Sequence, residues 1–390
     1  MVRFGSVTQI INGDRSSNYP SGDDFQNAGV PFINAGHLLN GKVDYSSMDY
    51  ISREKYNQLS GAKIRQNDIL LCLRGSLGKY ALVTIDGGAP ASSIAVIRPN
   101  TEIIDPHYLL QIIASSVFQK QIEVENNGSS QPNLSAKSVS EFTIPLPSLE
   151  EQRNIASALC DVDMMIFTLD KQIAKKRAIK QGAMQELLTG KKRLPGFENE
   201  WEEICLADVC TFYGGGTPDK KKTNWWNGNI PWISSSDLQE NDITNINIDR
   251  FITHEALEKS ATQLCPLNSV LVVTRVGVGK VAVTPCSICT SQDFTSIVSR
   301  VHNSYFLAYV LQPIMKRLAE QSQGTSIKGV TSDDIKQIVI RTPNKEEQKA
   351  IAETLFYMDE EIRLLEKKLG KCRQIKQGMM QQLLTGKIRI

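Results

Sequence analysis

The chain has 390 residues, 41% of them hydrophobic and 22% charged, with a net charge of +2. That length holds two or three domains of ordinary size, each able to bury its own core. No apolar run approaches the ~18 residues of a membrane span, the first residues carry no apolar signal core, and a pI near 8.0 permits a polyanionic partner without demanding one.

Residues 1–147 read as mixed α and β. Strand candidates are 69–73, 80–85 and 94–98, short apolar runs rich in β-branched residues. Arg74 and Lys79 flank the turn between the first two, where they could hold phosphates. Asp105-Pro106 opens a helix as cap and first-turn proline. A polar turn follows at 126–133. Its Ser129, Ser130, Gln131 and Asn133 can pair with base edges or phosphates, although a solvated turn is the plainer reading. A short strand over 142–145 closes this part.

Residues 148–194 form one long helix by pattern. Ile155, Leu159, Val162, Ile166, Leu169 and Ile173 recur at the 3.5-residue period of a coiled-coil seam. Lys176 and Lys180 break the seam, and apolar residues resume at Ile179, Met184, Leu187 and Leu188. This second patch is wide enough to cover a partner protein as well as a sister helix. Thr189-Gly190 supplies the stop.

Residues 195–343 read as mixed α and β again. Gly214-Gly215-Gly216-Thr217-Pro218 makes a turn, and Lys220, Lys221 and Lys222 stand beside Trp225-Trp226 as a basic, aromatic loop suited to phosphate. Solvated lysines and packed tryptophans are the simpler account of it. Strands are expected over 270–274, 281–284 and 295–301, with Arg275 and Lys280 at a turn mouth like that of Arg74 and Lys79. A helix over 305–318, bent at Pro313, leads to a polar turn with Thr325, Ser326 and Lys328, then a strand over 338–343. Residues 344–390 repeat the long helix, with a seam of Ile351, Leu355, Met358, Ile362, Leu365 and Leu369, extended by Cys372. Its second patch is Ile375, Met379, Met380, Leu383 and Leu384.

The two halves are copies. Ile179 to Leu194 and Ile375 to Ile390 match at 12 of 16 positions, 196 residues apart. At the same offset Glu150-Glu151-Gln152 matches Glu346-Glu347-Gln348, and Asp163 matches Asp359. Weaker similarity joins Arg74–Lys79 to Arg275–Lys280, and Val30-Pro31-Phe32-Ile33 to Ile230-Pro231-Trp232-Ile233. A period near 200 is too long for a solenoid. It describes a variable globular part followed by a similar helix, written twice, and two similar helices in one chain most simply pair with each other.

No dinucleotide fingerprint, phosphate loop, HExxH, methyltransferase Asn-Pro-Pro-aromatic motif or nuclease carboxylate cluster occurs. No catalytic residue and no metal site is therefore expected. Cys286-x-x-Cys289 with Cys205 and Cys210 has the donor types of a zinc site, but the first half offers no equivalent, and reduced structural cysteines are the simpler reading.

With these motifs assembled, the whole chain resembles the specificity subunit of Type I restriction-modification enzymes. The resemblance rests on Ile-Pro-Leu-Pro-x-Leu-Glu-Glu-Gln at 144–152 and its copy, both Gln-x-Leu-Leu-Thr-Gly-Lys endings, Leu194-Pro195-Gly196-Phe197 before Trp201, and Ile230-Pro231-Trp232-Ile233. It implies an α+β chain with two target recognition domains (1–147 and 195–343) and two conserved spacer helices (148–194 and 344–390). It implies that the helices pair as an antiparallel coiled coil with pseudo-twofold symmetry. Each recognition domain would read half of a split, asymmetric site on double-stranded DNA. Two copies of a methyltransferase subunit would bind near the helices, and restriction motor-nuclease subunits would join that cytoplasmic core. S-adenosylmethionine, ATP and magnesium would belong to those partners, leaving this chain without a cofactor. About 40 helical residues at 1.5 Å each give a spacer of about 60 Å, which limits half-site centres to roughly 18 base pairs apart at ~3.4 Å per pair. One departure stands out: the first unit begins almost at Met1 and lacks the Leu-Pro-Gly-Phe lead-in of the second. Two readings compete. A stand-alone methyltransferase or nuclease would act as the purified chain, and a coiled-coil scaffold would bind no duplex.

Overall fold

The computed structural model describes residues 1–126, 133–322 and 329–390. It divides into two compact units that do not follow chain order. One holds residues 1–170 with 368–390, the other residues 171–367. Each unit therefore contains one globular part, the first half of the long helix that follows it, and the last part of the other long helix. The helices span Leu149–Leu187 and Lys345–Leu383.

In the first unit, strands Thr8–Asn12, Ile94–Pro99, Ile69–Cys72, Tyr80–Leu82, Gly41–Val43 and Leu38–Leu39 lie in that order in one sheet. Ile69–Cys72 is apolar at every position because both of its faces are covered. Ile69 and Leu71 join the core beneath the helices, while Leu70 and Cys72 join a second core on the other side. This is the period of two expected of a strand. In the second unit, Val270 and Val272 face the helix side while Leu271 and Val273 face away, in a sheet ordered Cys210–Gly214, Phe294–Ser299, Val270–Val273, Val281–Val283. A left-handed asparagine precedes the central strand in each: Asn67 at φ 70° and Asn268 at φ 64°. Each unit also has a second sheet, of four strands, that includes Val30–Ile33 or Ile230–Ile233. Cys205, Cys210 and Cys289 fall on three different sheets.

The glycine run near 215 marks a chain crossing. A Cβ on Gly215 would lie 1.8 Å from the Ser291 carbonyl oxygen, and one on Gly13 would lie 2.3 Å from that of Ala91. Beside Gly13, the buried Asp14 carboxylate gathers the loop at 60–61. It accepts from Ser16 N and Oγ, both at 2.6 Å, from Gly61 N at 3.0 Å, and from the Ser60 amide and hydroxyl. Burial pushes its pKa up, but these hydrogen bonds outweigh burial and hold it well below the ordinary carboxylate range. A depressed folded pKa adds stability that is complete above the unfolded value, near 3.9, and is lost as pH falls through the folded one. Urea titrations of wild type and Asp14→Asn should thus show a variant weaker at pH 7, with a shallower loss of stability below about pH 4. Identical acid slopes would remove Asp14 from this role.

The Glu-Glu-Gln repeat has a structural meaning. Gln152 is fully buried; its Oε1 accepts from Asp105 N at 2.9 Å, and its Nε2 donates to Ile103 O and Pro147 O at 3.1 and 2.9 Å. In the other unit Gln348 Oε1 accepts from Asn303 N at 2.9 Å, and Nε2 donates to Thr342 Oγ1 and Pro343 O, both at 2.8 Å. Asp105 and Asn303 in turn cap the helices that begin at Pro106 and Ser304. One glutamine thus ties the start of each long helix to the helix of its own globular part.

Within each unit the long helices run antiparallel. In the first, Asp163 pairs with Lys376 at 2.7 Å and Asp170 with Arg373 at 3.1 Å, while Cys372 Sγ lies 3.4 Å from Met165 Sδ. In the second, Lys180 pairs with Asp359 and Lys176 with Glu361. The lysines that interrupt the heptads are therefore the ones that bridge the helices. Seam residues Leu169, Ile173, Ile362 and Leu369 are buried, and Val162, Ile166, Met358 and Leu365 half-buried. Ile155, Leu159, Ile351 and Leu355 enter the domain cores. Among the described residues no helix is long and apolar enough to cross a membrane.

Candidate nucleic-acid interface

The turn joining Ile69–Cys72 to Tyr80–Leu82 is built on Gly75 and Gly78, at φ 69° and 79°. This left-handed backbone suits glycine and brings Arg74, Ser76 and Lys79 to the exposed face. Arg74 does not hang free. Its Nε donates to Asn133 Oδ1 at 3.0 Å, and the two residues share an isolated antiparallel bridge. That bond engages Nε, and the paired Nη nitrogens have the geometry that suits a phosphate or a guanine edge. Two of the polar residues singled out in the first half, Arg74 and Asn133, are thus brought together although 59 positions apart.

The second unit repeats the turn with Gly277 and Gly279, at φ 82° and 105°. Arg275 is exposed, but Lys280 differs from its counterpart Lys79. Its ammonium donates to Ser235 O at 3.1 Å and Leu238 O at 2.8 Å. Lys280 therefore holds a loop of its own domain, and its charge is not offered to a phosphate. At a turn mouth, the sequence pattern alone cannot separate a lysine that reaches outward from one that folds back on carbonyls.

Lys220 and Lys221 are exposed. Lys222 lies 4.0 Å above the ring of buried Trp225, a cation–π contact that belongs to the packing of this loop. Trp226 stands edge-on to Trp232, with centroids 5.0 Å apart. Arg250 lies 4.8 Å over the Trp232 ring, donates to Ser234 Oγ at 2.9 Å, and pairs with Asp237. Lys220, Thr223, Trp226, Asn227 and Arg250 border one shallow hollow. Arg250 stands alone in the sequence and nothing there singles it out. Ser129, Ser130, Gln131, Thr325, Ser326 and Lys328 lie outside the described residues.

The second apolar patches of the long helices are not free surfaces. Leu383 and Leu384 are buried in the core of the first unit with Phe4, Leu109 and Ile144, and Met379 and Met380 pack against it. Met184 and Leu187 are buried with Trp201 and Phe306 in the core of the second, with Leu188 beside them. The expectation of a partner-docking patch is corrected for these residues. The tail of each helix closes the globular part that the other helix follows. Only Ile179 and Ile375, 47% and 56% exposed, stay on the outside. Arg193 and Glu347 form a bidentate pair at 2.6 Å, and the equivalent Arg389 and Glu151 approach to 3.9 Å. Both pairs sit at offset 196, a signal that was present in the sequence.

Two duplicated units, each with a buried sheet, an exposed basic turn and a share of both long helices, define a modular recognition protein. The family model for the type I restriction modification DNA specificity domain matches twice, over residues 1–179 and 198–372, and the chain belongs to that family. It is 27% identical over 382 residues to the putative type I restriction enzyme MjaX specificity subunit of Methanocaldococcus jannaschii, covering 93% of this chain and 88% of the relative. It is 26% identical to the MjaVIII specificity subunit of the same organism, covering 100% and 93%. The solved type I restriction-modification S subunit from M. genitalium aligns with a TM-score of 0.65 at 14% identity, over 98% of this chain and 95% of that one, which shows a shared fold.

Proposed function

We propose that this chain reads a split site on double-stranded DNA for a type I restriction-modification complex. The observation that carries the reading is the tandem family match, each copy on one globular part. The two parts offer different groups to DNA: a braced Arg74 with exposed Lys79 in one, and Arg275 with the Lys220–Arg250 hollow in the other. Unlike readers imply unlike half-sites, so the site is bipartite and asymmetric. Sequencing methylated DNA from cells carrying the chain and its methyltransferase tests this; a continuous or palindromic motif would overturn it.

In this reading the chain performs no chemistry. Methyl transfer with S-adenosylmethionine, and ATP- and magnesium-dependent restriction, fall to cytoplasmic partner subunits. The methyltransferase would dock on the outer faces of the long helices, where Met164, Met165 and Phe167 in the first unit and Tyr357 and Leu364 in the second are exposed beside Ile375 and Ile179. Duplicated helices favour two copies, so the native mass of the co-purified complex should give two methyltransferases per chain. A one-to-one ratio would count against it.

Charge contacts can be separated by salt. Arg74→Ala and Lys79→Ala should each flatten the slope of log affinity against log salt by about 0.9, one phosphate contact apiece. Lys280→Ala should leave that slope unchanged and lower the melting temperature instead, because it removes two internal hydrogen bonds. Equal slopes for wild type and Arg74→Ala would take Arg74 out of the interface.

A further inference from the structure

Beside their basic turns, the two units carry opposite charges at one equivalent position. In the first unit Phe32 pairs across the sheet with Asp49, and in the second Trp232 pairs with Arg250. The neighbouring pairs correspond as well, Val30 with Ile51 and Ile230 with Ile252. Asp49 and Arg250 therefore hold the same place in the repeat. Both side chains reach solvent, at 46% and 39% exposure. A second ring stands edge-on against the paired aromatic in each unit: Phe25 on Phe32 at 5.6 Å, and Trp226 on Trp232 at 5.0 Å.

The residues that hold this position change with it. A single-turn 3-10 helix follows Val30–Ile33 and Ile230–Ile233, at Ala35–His37 and Ser235–Asp237. Its cap and third residue are Asn34 and His37 in one unit, Ser234 and Asp237 in the other, at the offset of 200 that joins Val30 to Ile230. In the first unit the Asn34 side-chain amide donates to Asp49 Oδ2 at 2.9 Å, and His37 Nε2 lies 3.9 Å from the same oxygen. In the second, Arg250 donates to Ser234 Oγ at 2.9 Å and pairs with Asp237. A donor braces the carboxylate, and acceptors brace the guanidinium. Bracing of this kind fixes a side chain before its ligand arrives and lowers the cost of binding. Both braces adjoin the basic turns. Lys280 donates to Ser235 O and Leu238 O. Leu38–Leu39, next to His37, pairs with Gly41–Val43, which pairs with the strand leaving the Arg74–Lys79 turn.

We propose, resting on the split-site reading above, that this position reads one base pair in each half-site: cytosine through the Asp49 carboxylate and guanine through the Arg250 guanidinium. A carboxylate accepts and does not donate, and phosphate repels it. The DNA groups that satisfy Asp49 are therefore base amines, and cytosine N4 in the major groove is the one that pairs with an aspartate. The repeat presents Arg250 at the same place, so it too faces base edges rather than the backbone, where guanine O6 and N7 match its paired donors. Arg74, Lys79 and Arg275 then set the position of each unit on the duplex, and Asp49 and Arg250 carry sequence.

The test is selection from a randomised duplex library by the full-length chain co-purified with its methyltransferase, with the retained duplexes sequenced. Wild type should require a C·G pair in each half-site. Asp49→Asn should lower the preference for one of these pairs at least about fivefold and leave every other position as it was. Arg250→Gln, combined with Asp237→Asn so that no carboxylate is left unpaired, should do the same at one pair of the other half-site. Asp49→Asn keeps an acceptor for Asn34 and decides the matter by itself where the double variant melts early. Weaker binding spread evenly over all pairs would make these residues backbone contacts and overturn the proposal. So would an unchanged base profile, or both changes falling in one half-site. A wild-type profile without two half-sites overturns the split-site reading and this proposal together, whereas a split wild-type profile with unmoved variants overturns this proposal alone.

Discussion

Leu384→Asp is expected to unfold the N-terminal unit while leaving the other intact. Leu384 is fully buried and Leu383 is 7% exposed, in a core otherwise made by residues 4–159. An unpaired carboxylate placed there, with the lost apolar contact, costs on the order of 4 kcal/mol or more. A domain is stable by only about 5–15 kcal/mol. Hydrogen exchange should therefore show lost protection in Ile69–Cys72 and Ile94–Pro99 and retained protection in Val270–Val273. Leu187→Asp should give the mirror result, because Leu187 lies in the second core. If either variant kept full protection and only released the methyltransferase, the helix tails would be docking surfaces after all.

Gln152→Leu and Gln348→Leu should each lower the melting temperature of the affected unit by roughly 6–12 °C. Each side chain satisfies a helix-entry amide and two acceptors in a site closed to water. A leucine fills the volume but strands those groups, and a buried unsatisfied donor or acceptor costs about 1–3 kcal/mol apiece. A summed loss near 3 kcal/mol or above gives that shift for units of this size. Two-transition calorimetry of both variants would measure it. A change of under about 2 °C would mean that the helix start is held by other contacts.

Much of the fold was legible in the sequence because the repeat wrote it twice. The paired strands, the helix capped at Asp105, and the heptads of the two long helices sit where spacing put them. Heptad spacing states that a residue is covered and does not state by what. Leu187 and Leu384 carry the pattern of a docking face and of a core equally, and only the tertiary structure decides. Lys79 and Lys280 occupy equivalent positions, yet one is exposed and the other is spent on two carbonyls of the turn at 235–238. The brace between Arg74 and Asn133 depends on a long-range bridge that no local pattern encodes. The lysines at 176 and 180 looked like interruptions and are interhelical partners, an outcome visible in hindsight from the acids at 359 and 361.

The reciprocal closure sets an order of events during synthesis. Residues 171–367 hold everything the second unit needs, so it can complete its core once they have left the ribosome. The first unit is begun earlier but waits for Leu383 and Leu384, which are translated after the last residue of the second unit. At about 5–20 residues per second, the interval between residue 170 and residue 390 is roughly 10–45 s. Throughout it Phe4, Leu109 and Ile144 lack part of their cover. The half made first is thus finished last, and its nascent form is the one most in need of a chaperone.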